Sequence, residues 1–352
     1  MRRIRQSFGV LALAALAAAS VGAGSAAAAT HGTVRTKAQW QAAIAQVHQP
    51  GKGCYQARYP ALQWHAVKCT AAPKFPLAPA RPAGSATRGG PMLVGNGHDY
   101  SAAVSALISK ATGTFTNVTP GITEKGKVGN AGSQVANAYS LQLNTQFFSG
   151  SPACSGSSDP SSCLAWQQFV YTYQNHTTGY VFMQYWLINY NATCPAGWFT
   201  YSTDCYTNSS AATTPGGPLT AADLASVKLS GSAASGGNDA VSLSVGSGTA
   251  TTVTNSDSEI DLASAWNTTE WGVFGDGGGG EANFGTNTTL EAQTAITDGT
   301  HVEPRCVKEG FTGETNNLKL TATPALGSEP SPTMASKQTN GTSTTASCAR
   351  KG

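Results

Sequence analysis

LAWQQFVYTY (residues 164–173) and YVFMQYWLINY (residues 180–190) are the two stretches whose reading decides the fold. The second is apolar on both faces, as a central strand covered on both sides would be. Around them, segments rich in Thr, Val, Tyr, Phe and Ser alternate with Gly/Asn/Ser/Pro turns about every ten residues. DYSAAVSAL, GTFTNVTP and AYSLQLNTQFF precede the pair; ASVKLSGSA, AVSLSVG, TATTVTNS, TEWGVFG and TLEAQTAIT follow it. No long helical pattern interrupts the series. Ten or so antiparallel strands joined by short turns predict an all-β, two-sheet sandwich or jelly roll.

Outward from this block the composition changes. Arg2, Arg3 and Arg5 precede an apolar run and a small-residue stretch around residues 25–30, the pattern of a secretory signal peptide over residues 1–29. Its apolar part is too short to span a membrane. Three of the 21 basic residues lie there, which leaves 18 basic against 18 acidic. A neutral chain lacks the basic footprint that nucleic acid demands. Residues 30–90 read as a propeptide or accessory module, in which Cys54 and Cys69 could close a loop before a linker rich in Pro, Ala and Gly. The β-sandwich domain is placed at residues 91–326 and a polar tail at 327–352. The eight cysteines fall into the couples Cys54/Cys69, Cys154/Cys163, Cys194/Cys205 and Cys306/Cys348. An even count in an exported chain reads as local disulfides, with consecutive pairing the simplest of ~105 arrangements.

Candidate chemistry is sparse. None of the six histidines forms H-x-x-x-H or H-E-x-x-H, so no metal and no cofactor is expected. GDGGGGEANFG (residues 275–285) lacks the G-K-[ST] of a phosphate loop and reads as a wide turn. More informative are acid and amide side chains inside apolar strands. In TTEWGVF, alternation sets Glu270 on one face with Gly272 and Phe274, and Trp271 and Val273 on the other. Gln167 shares its face with Ala165, Phe169 and Tyr171, and Gln184 lies between Phe182 and Trp186. A half-buried carboxyl beside aromatic surface has a raised pKa, which suits general acid/base work.

At these residues the chain resembles the glutamic peptidases (eqolisins), secreted acid endopeptidases with a lectin-like β-sandwich. Their NWAGAV and GTFTVP are similar to DYSAAV (residues 99–104) and GTFTNVTP (residues 113–120). AWVGIDG corresponds to AYSLQLNT (138–145), LQTGV to WQQFV (166–170) and WYEWYP to MQYWLIN (183–189). AEWIVE resembles TEWGVF (269–274), and ADFGTVTF is echoed by ANFGTNTTL (282–290). The resemblance implies a concanavalin-like sandwich with Glu270 as catalytic acid/base and Gln167 as oxyanion donor. It also implies Asn144, Tyr185, Trp186 and Trp271 as groups lining a polypeptide-binding site. Gln142, Gln168 and Gln184 are the amides to set against Gln167. The chain departs from the family where Asn144 replaces an Asp, Tyr185 a Glu and Ser140 an aromatic. Those changes leave room for a divergent, inactive cousin. The rival expectation is a secreted lectin-like binder, with Trp186, Trp198, Tyr201 and Tyr206 stacking on a polysaccharide.

Overall fold

Where side chains alternate and both faces are covered, the chain pairs as strands. In a computed structural model, residues 36–80, 100–341 and 346–348 are described; the signal peptide expected over residues 1–29, residues 30–35, residues 81–99 and residues 342–345 and 349–352 of the expected tail lie outside them. Two large sheets form, and every pair within them is antiparallel. The first, called the groove sheet here, runs in spatial order Phe199–Tyr201, Asp204–Asn208, Thr178–Ile188, Leu164–Asn175, Tyr139–Thr145, Thr268–Gly275, Ser101–Ala103 and Arg305–Val307. The central pair carries LAWQQFVYTY and most of YVFMQYWLINY.

The second, or back, sheet contains Gly53–Arg58, Thr249–Ser256, Asn238–Val245, Lys228–Ser232, Lys110–Thr116, Thr289–Thr297 and Thr333–Thr339 in that order. Gly53–Arg58 joins it by pairing with Thr249–Ser256, so the first described strand extends the sheet rather than standing apart. Helix Lys37–Ile44, capped by Thr36 and Gln39, packs Trp40 and Ile44 under that edge. A small sheet of Glu124–Gly126, Val135–Ala136, Glu281–Phe284 and Thr315–Asn316 flanks the sandwich and contains one short parallel pair.

The core lies between the two large sheets. Leu141, Leu143, Phe169, Tyr171, Met183 and Trp271 project from the groove sheet into it. Two glycines of the back sheet let the layers approach. A Cβ at Gly113 would fall 2.0 Å from the Trp271 ring, and one at Gly231 would fall 2.2 Å from the Phe169 ring. Disulfides close all four cysteine couples named above.

The outer face of the groove sheet is buried too, which is why its central strands read as apolar on both sides. Two irregular segments cover it, residues 73–80 and residues 309–316. Leu77 packs on Val170 and Phe182, and Ala78 and Phe311 pack with Trp166 and Trp186.

Candidate active site

Strand register sets the site. Reading straight across the groove sheet, Ser101 pairs with Glu270, Glu270 with Asn144, Asn144 with Gln168, Gln168 with Gln184, and Gln184 with Asn208. Directly opposed residues share a face, so these polar side chains form one row on the outer face. The residue two positions from Asn144 in its strand, Gln142, stands beside the row on the same side.

Hydrogen bonds tie the row together. Asn144 Nδ2 donates to Glu270 Oε2 at 2.8 Å and to Gln142 Oε1 at 3.3 Å. Gln168 Nε2 donates to the same Gln142 oxygen at 3.0 Å. Trp186 Nε1 donates to Gln168 Oε1 at 3.1 Å and to Gln184 Oε1 at 3.0 Å. Gln184 Nε2 in turn donates to Asn208 Oδ1 at 2.8 Å. Gln142 Nε2 also reaches Ser140 Oγ at 2.9 Å and Glu314 Oε2 at 3.5 Å.

Glu270 is 1% exposed. Its Oε2 also accepts from the Phe311 N–H at 3.1 Å, whereas its Oε1 is buried without a hydrogen-bond partner. Burial pushes the carboxyl up to about 7; the Asn144 amide and the Phe311 N–H pull it back, and the nearby Glu309 and Glu314 carboxyls add to the rise. Glu314 is itself raised by burial, against hydrogen bonds from Thr312, Gly279 and Gln142. Such a pair of buried carboxyls, linked through amides, holds protons above the ordinary carboxylate range.

The structure brings together some of the sequence-predicted residues and separates others. Glu270, Asn144 and Trp186 lie on the outer face, in one network. Gln167 lies on the inner face, between the sheets: its Nε2 reaches Met183 Sδ at 3.6 Å, and Asp239 of the back sheet lies against it. Tyr185 points the same way, accepting from Asn255 Nδ2 at 3.1 Å. Trp271 also faces inward, donating to the Thr114 carbonyl at 3.0 Å and packing on Phe115. Alternation explains all three, since each is one residue out of phase with the row. Of the two glutamines in WQQFV, the one that shares the Glu270 face is Gln168. It is not on a neighbouring strand: the Asn144 strand intervenes, which sets the two Cα atoms ~10 Å apart at ordinary strand spacing. Gln168 is tied to Glu270 only indirectly, through Gln142 and Asn144. The Phe274 ring lies over Gly272 on this face, where an added Cβ would meet it at 2.7 Å.

Gln142, Gln168 and Glu314 are the site residues that the sequence reading did not choose. Gln142 carried a signal, a polar phase running Ser140, Gln142, Asn144 against the apolar Leu141 and Leu143, whereas Gln168, beside Gln167 in WQQFV, carried none. Glu314 lies in a polar loop with no periodicity. The glycine-rich segment is a turn, as its sequence indicates. Gly277, Gly278 and Gly279 have φ of +82°, +63° and +73°, and the Gly279 N–H donates to Glu314 Oε1 at 2.9 Å. Among the described residues no helix is long and apolar enough to cross a membrane.

No protein-family model matches this sequence, and no curated protein matches it. Among solved structures, scytalido-glutamic peptidase with a transition state analog inhibitor is similar at 11% identity, over 68% of this chain and 97% of that one, with a TM-score of 0.30. A second structure of that enzyme, with a peptide-based transition state analog, covers the same shares at 11% identity and a TM-score of 0.27. This is a distant likeness of fold.

Proposed function

We propose that this chain is a secreted acid endopeptidase of the glutamic type, with Glu270 as general base and acid and Gln168, rather than Gln167, as the oxyanion donor. The observation that carries the reading is the Glu270 carboxyl: buried, fixed through one oxygen by Asn144 and Phe311, and unpartnered at the other. Oε1 takes a proton from a water as that water attacks the scissile carbonyl, and later delivers it to the leaving amine as the C–N bond breaks. An amide NH2 carries two N–H donors. One of those on Gln168 is engaged with Gln142, and the other stabilises the developing oxyanion.

A carboxyl near 7 is proton-bound in acid and is no base. Exposure of the groove to water returns Glu270 toward ~4.3, the ordinary glutamate value, so the working state is one in which residues 73–80 have withdrawn and no longer pin residues 309–316 over it. Residues 30–90 then serve as a propeptide, and the mature chain begins at residues 85–91, in a Pro/Ala/Gly-rich sequence of the kind at which nicking concentrates. Residues 1–29 direct secretion, in keeping with four disulfides.

The test is an acid incubation of the full chain, followed by N-terminal sequencing and an assay on an unfolded protein from pH 2 to 7. Glu270→Gln keeps the shape and removes the proton acceptor. It is expected to abolish turnover, with circular dichroism unchanged and chelators and serine- or cysteine-directed reagents without effect on the parent. Full activity in Glu270→Gln sinks the mechanism. A second reading rests on Phe199 and Tyr201, exposed at 43% and 38% beside the stacked Trp186 and Tyr206. Aromatic faces of this kind bind sugar rings. A processed chain that is inert on protein yet retained on a polysaccharide column favours it.

A further inference from the structure

Residues 73–80 cross the groove along the amide row, and their main chain is held almost throughout. Asn208 Nδ2 donates to the Pro73 carbonyl at 3.0 Å and the Tyr206 hydroxyl to the Lys74 carbonyl at 2.8 Å. The Gly278 N–H donates to the Pro76 carbonyl at 2.9 Å. The Leu77 N–H donates to Gln184 Oε1 at 2.8 Å and the Ala78 N–H to Glu314 Oε1 at 3.3 Å. The Ala78 carbonyl accepts from the Gly313 N–H at 2.7 Å, and the Ala80 N–H donates to the Phe311 carbonyl at 3.2 Å. Pro73, Pro76 and Pro79 have no N–H to satisfy, so from Pro76 onward each available N–H of the segment is bound. Side chains are treated differently from main chain. Leu77 is 0% exposed, in a pocket of Val170, Phe182 and Ala211; Ala78 lies on the indoles of Trp166 and Trp186.

Main-chain bonds that ignore sequence, with a pocket for one side chain, are how proteins bind extended peptides. We infer that residues 73–80 mark the register of a peptide-binding groove. The Val170/Phe182 pocket selects an aliphatic residue, the next position takes a small one, and proline is tolerated on either side of the two. The inference rests on the peptidase reading in taking the groove's other guest to be a peptide. The segment and a free peptide compete for one groove.

The test measures binding, on the full chain. Leu77→Asp unseats the segment and leaves the pocket intact; Leu77→Ala serves the same purpose if the Asp variant does not fold. Two synthetic peptides are titrated against the chain by calorimetry, AAPKFPLAPA and the same peptide with Asp for Leu. The parent chain is expected to bind neither. The unseated chain is expected to bind the Leu peptide at least 10-fold more tightly than the Asp peptide, and adding Glu270→Gln should leave that ratio unchanged. Equal binding of the two peptides by the unseated chain, or binding of neither, overturns the inference. Leu-selective binding without hydrolysis at any acid pH upholds the groove and removes the peptidase. Hydrolysis without selectivity does the reverse.

Discussion

Gln167 and Gln168 are neighbours in the chain and both are 0% exposed, yet the two faces of the groove sheet give them different company. On the inner face, Gln167 turns its amide to a sulfur and toward the Asp239 carboxyl, and its Oε1 has no partner. On the outer face, Gln168 both donates and accepts in a chain of bonds that ends on Glu270. A buried amide in a connected network is oriented and polarised by its neighbours, whereas a poorly partnered one is a cost borne by the packing around it. Burial alone says nothing about which is which; the face does.

Both faces also hide carboxyls, and these carry the largest expected effect. Burial raises Asp239, on the inner side, and Glu124, at the flanking sheet, to about 8, and raises Glu270 to about 7. Each raised group holds its proton more tightly folded than unfolded. Its contribution is therefore fully present below the unfolded value near 4 and is lost as pH rises through the folded value. At ~1.4 kcal/mol per unit, stability should fall by several kcal/mol between about pH 4 and pH 8. Thermal melts across that range are expected to show the highest Tm in acid. Asp239→Asn and Glu270→Gln should each flatten the profile, one from each face. A Tm that is constant or rises toward pH 8 contradicts this account of the buried acids.

The second expected effect separates the two amides directly. Gln168→Ala removes the oxyanion donor and should lower kcat by ~10²–10³, as loss of one such donor does elsewhere. Gln167→Ala leaves the outer network untouched. Its rate should stay within about threefold of the parent, while Tm shifts through the gap left beside Met183 and Asp239. If Gln167→Ala is the slow variant, the face assignment is wrong.

The fold was legible because its signals are local. Period-two alternation and regular turns are written in each strand, and the apolar phase of TEWGVF and AYSLQLNT already set Glu270 apart from Trp271. The amide was not legible in the same way. In WQQFV both faces are apolar around two consecutive glutamines, because both faces are covered, so alternation cannot say which Gln looks toward Glu270. That choice is made by register across the Asn144 strand, a non-local fact. The seating of Leu77 was further out of reach. Its segment is proline-rich and without period, and the bonds that hold it come from residues 100 or more positions away, such as Gln184 and Glu314.

The smallest expected effect compares how the two faces tolerate an added methyl group. At Gly231 a new Cβ would lie 2.2 Å from Cδ2 of Phe169 and 2.5 Å from Cγ, so it meets the body of a ring already packed between two sheets. Neither sheet can yield without disturbing the core, and interiors are close-packed enough to feel one methylene. Gly231→Ala should cost ~1–3 kcal/mol, as overpacking does, with kcat unchanged because the outer row is not touched. At Gly272, on the outer face, the Cβ would meet only the rim of the Phe274 ring, at 2.7 Å. Gly272→Ala should therefore cost less in Tm than Gly231→Ala. Its effect on kcat should nonetheless be the larger of the two, because the displaced ring sits on the same face as the Glu270 carboxyl. Chemical denaturation and steady-state rates on the same two variants check the crossing. Both readouts ranking the variants in the same order would mean that the faces are not mechanically separate.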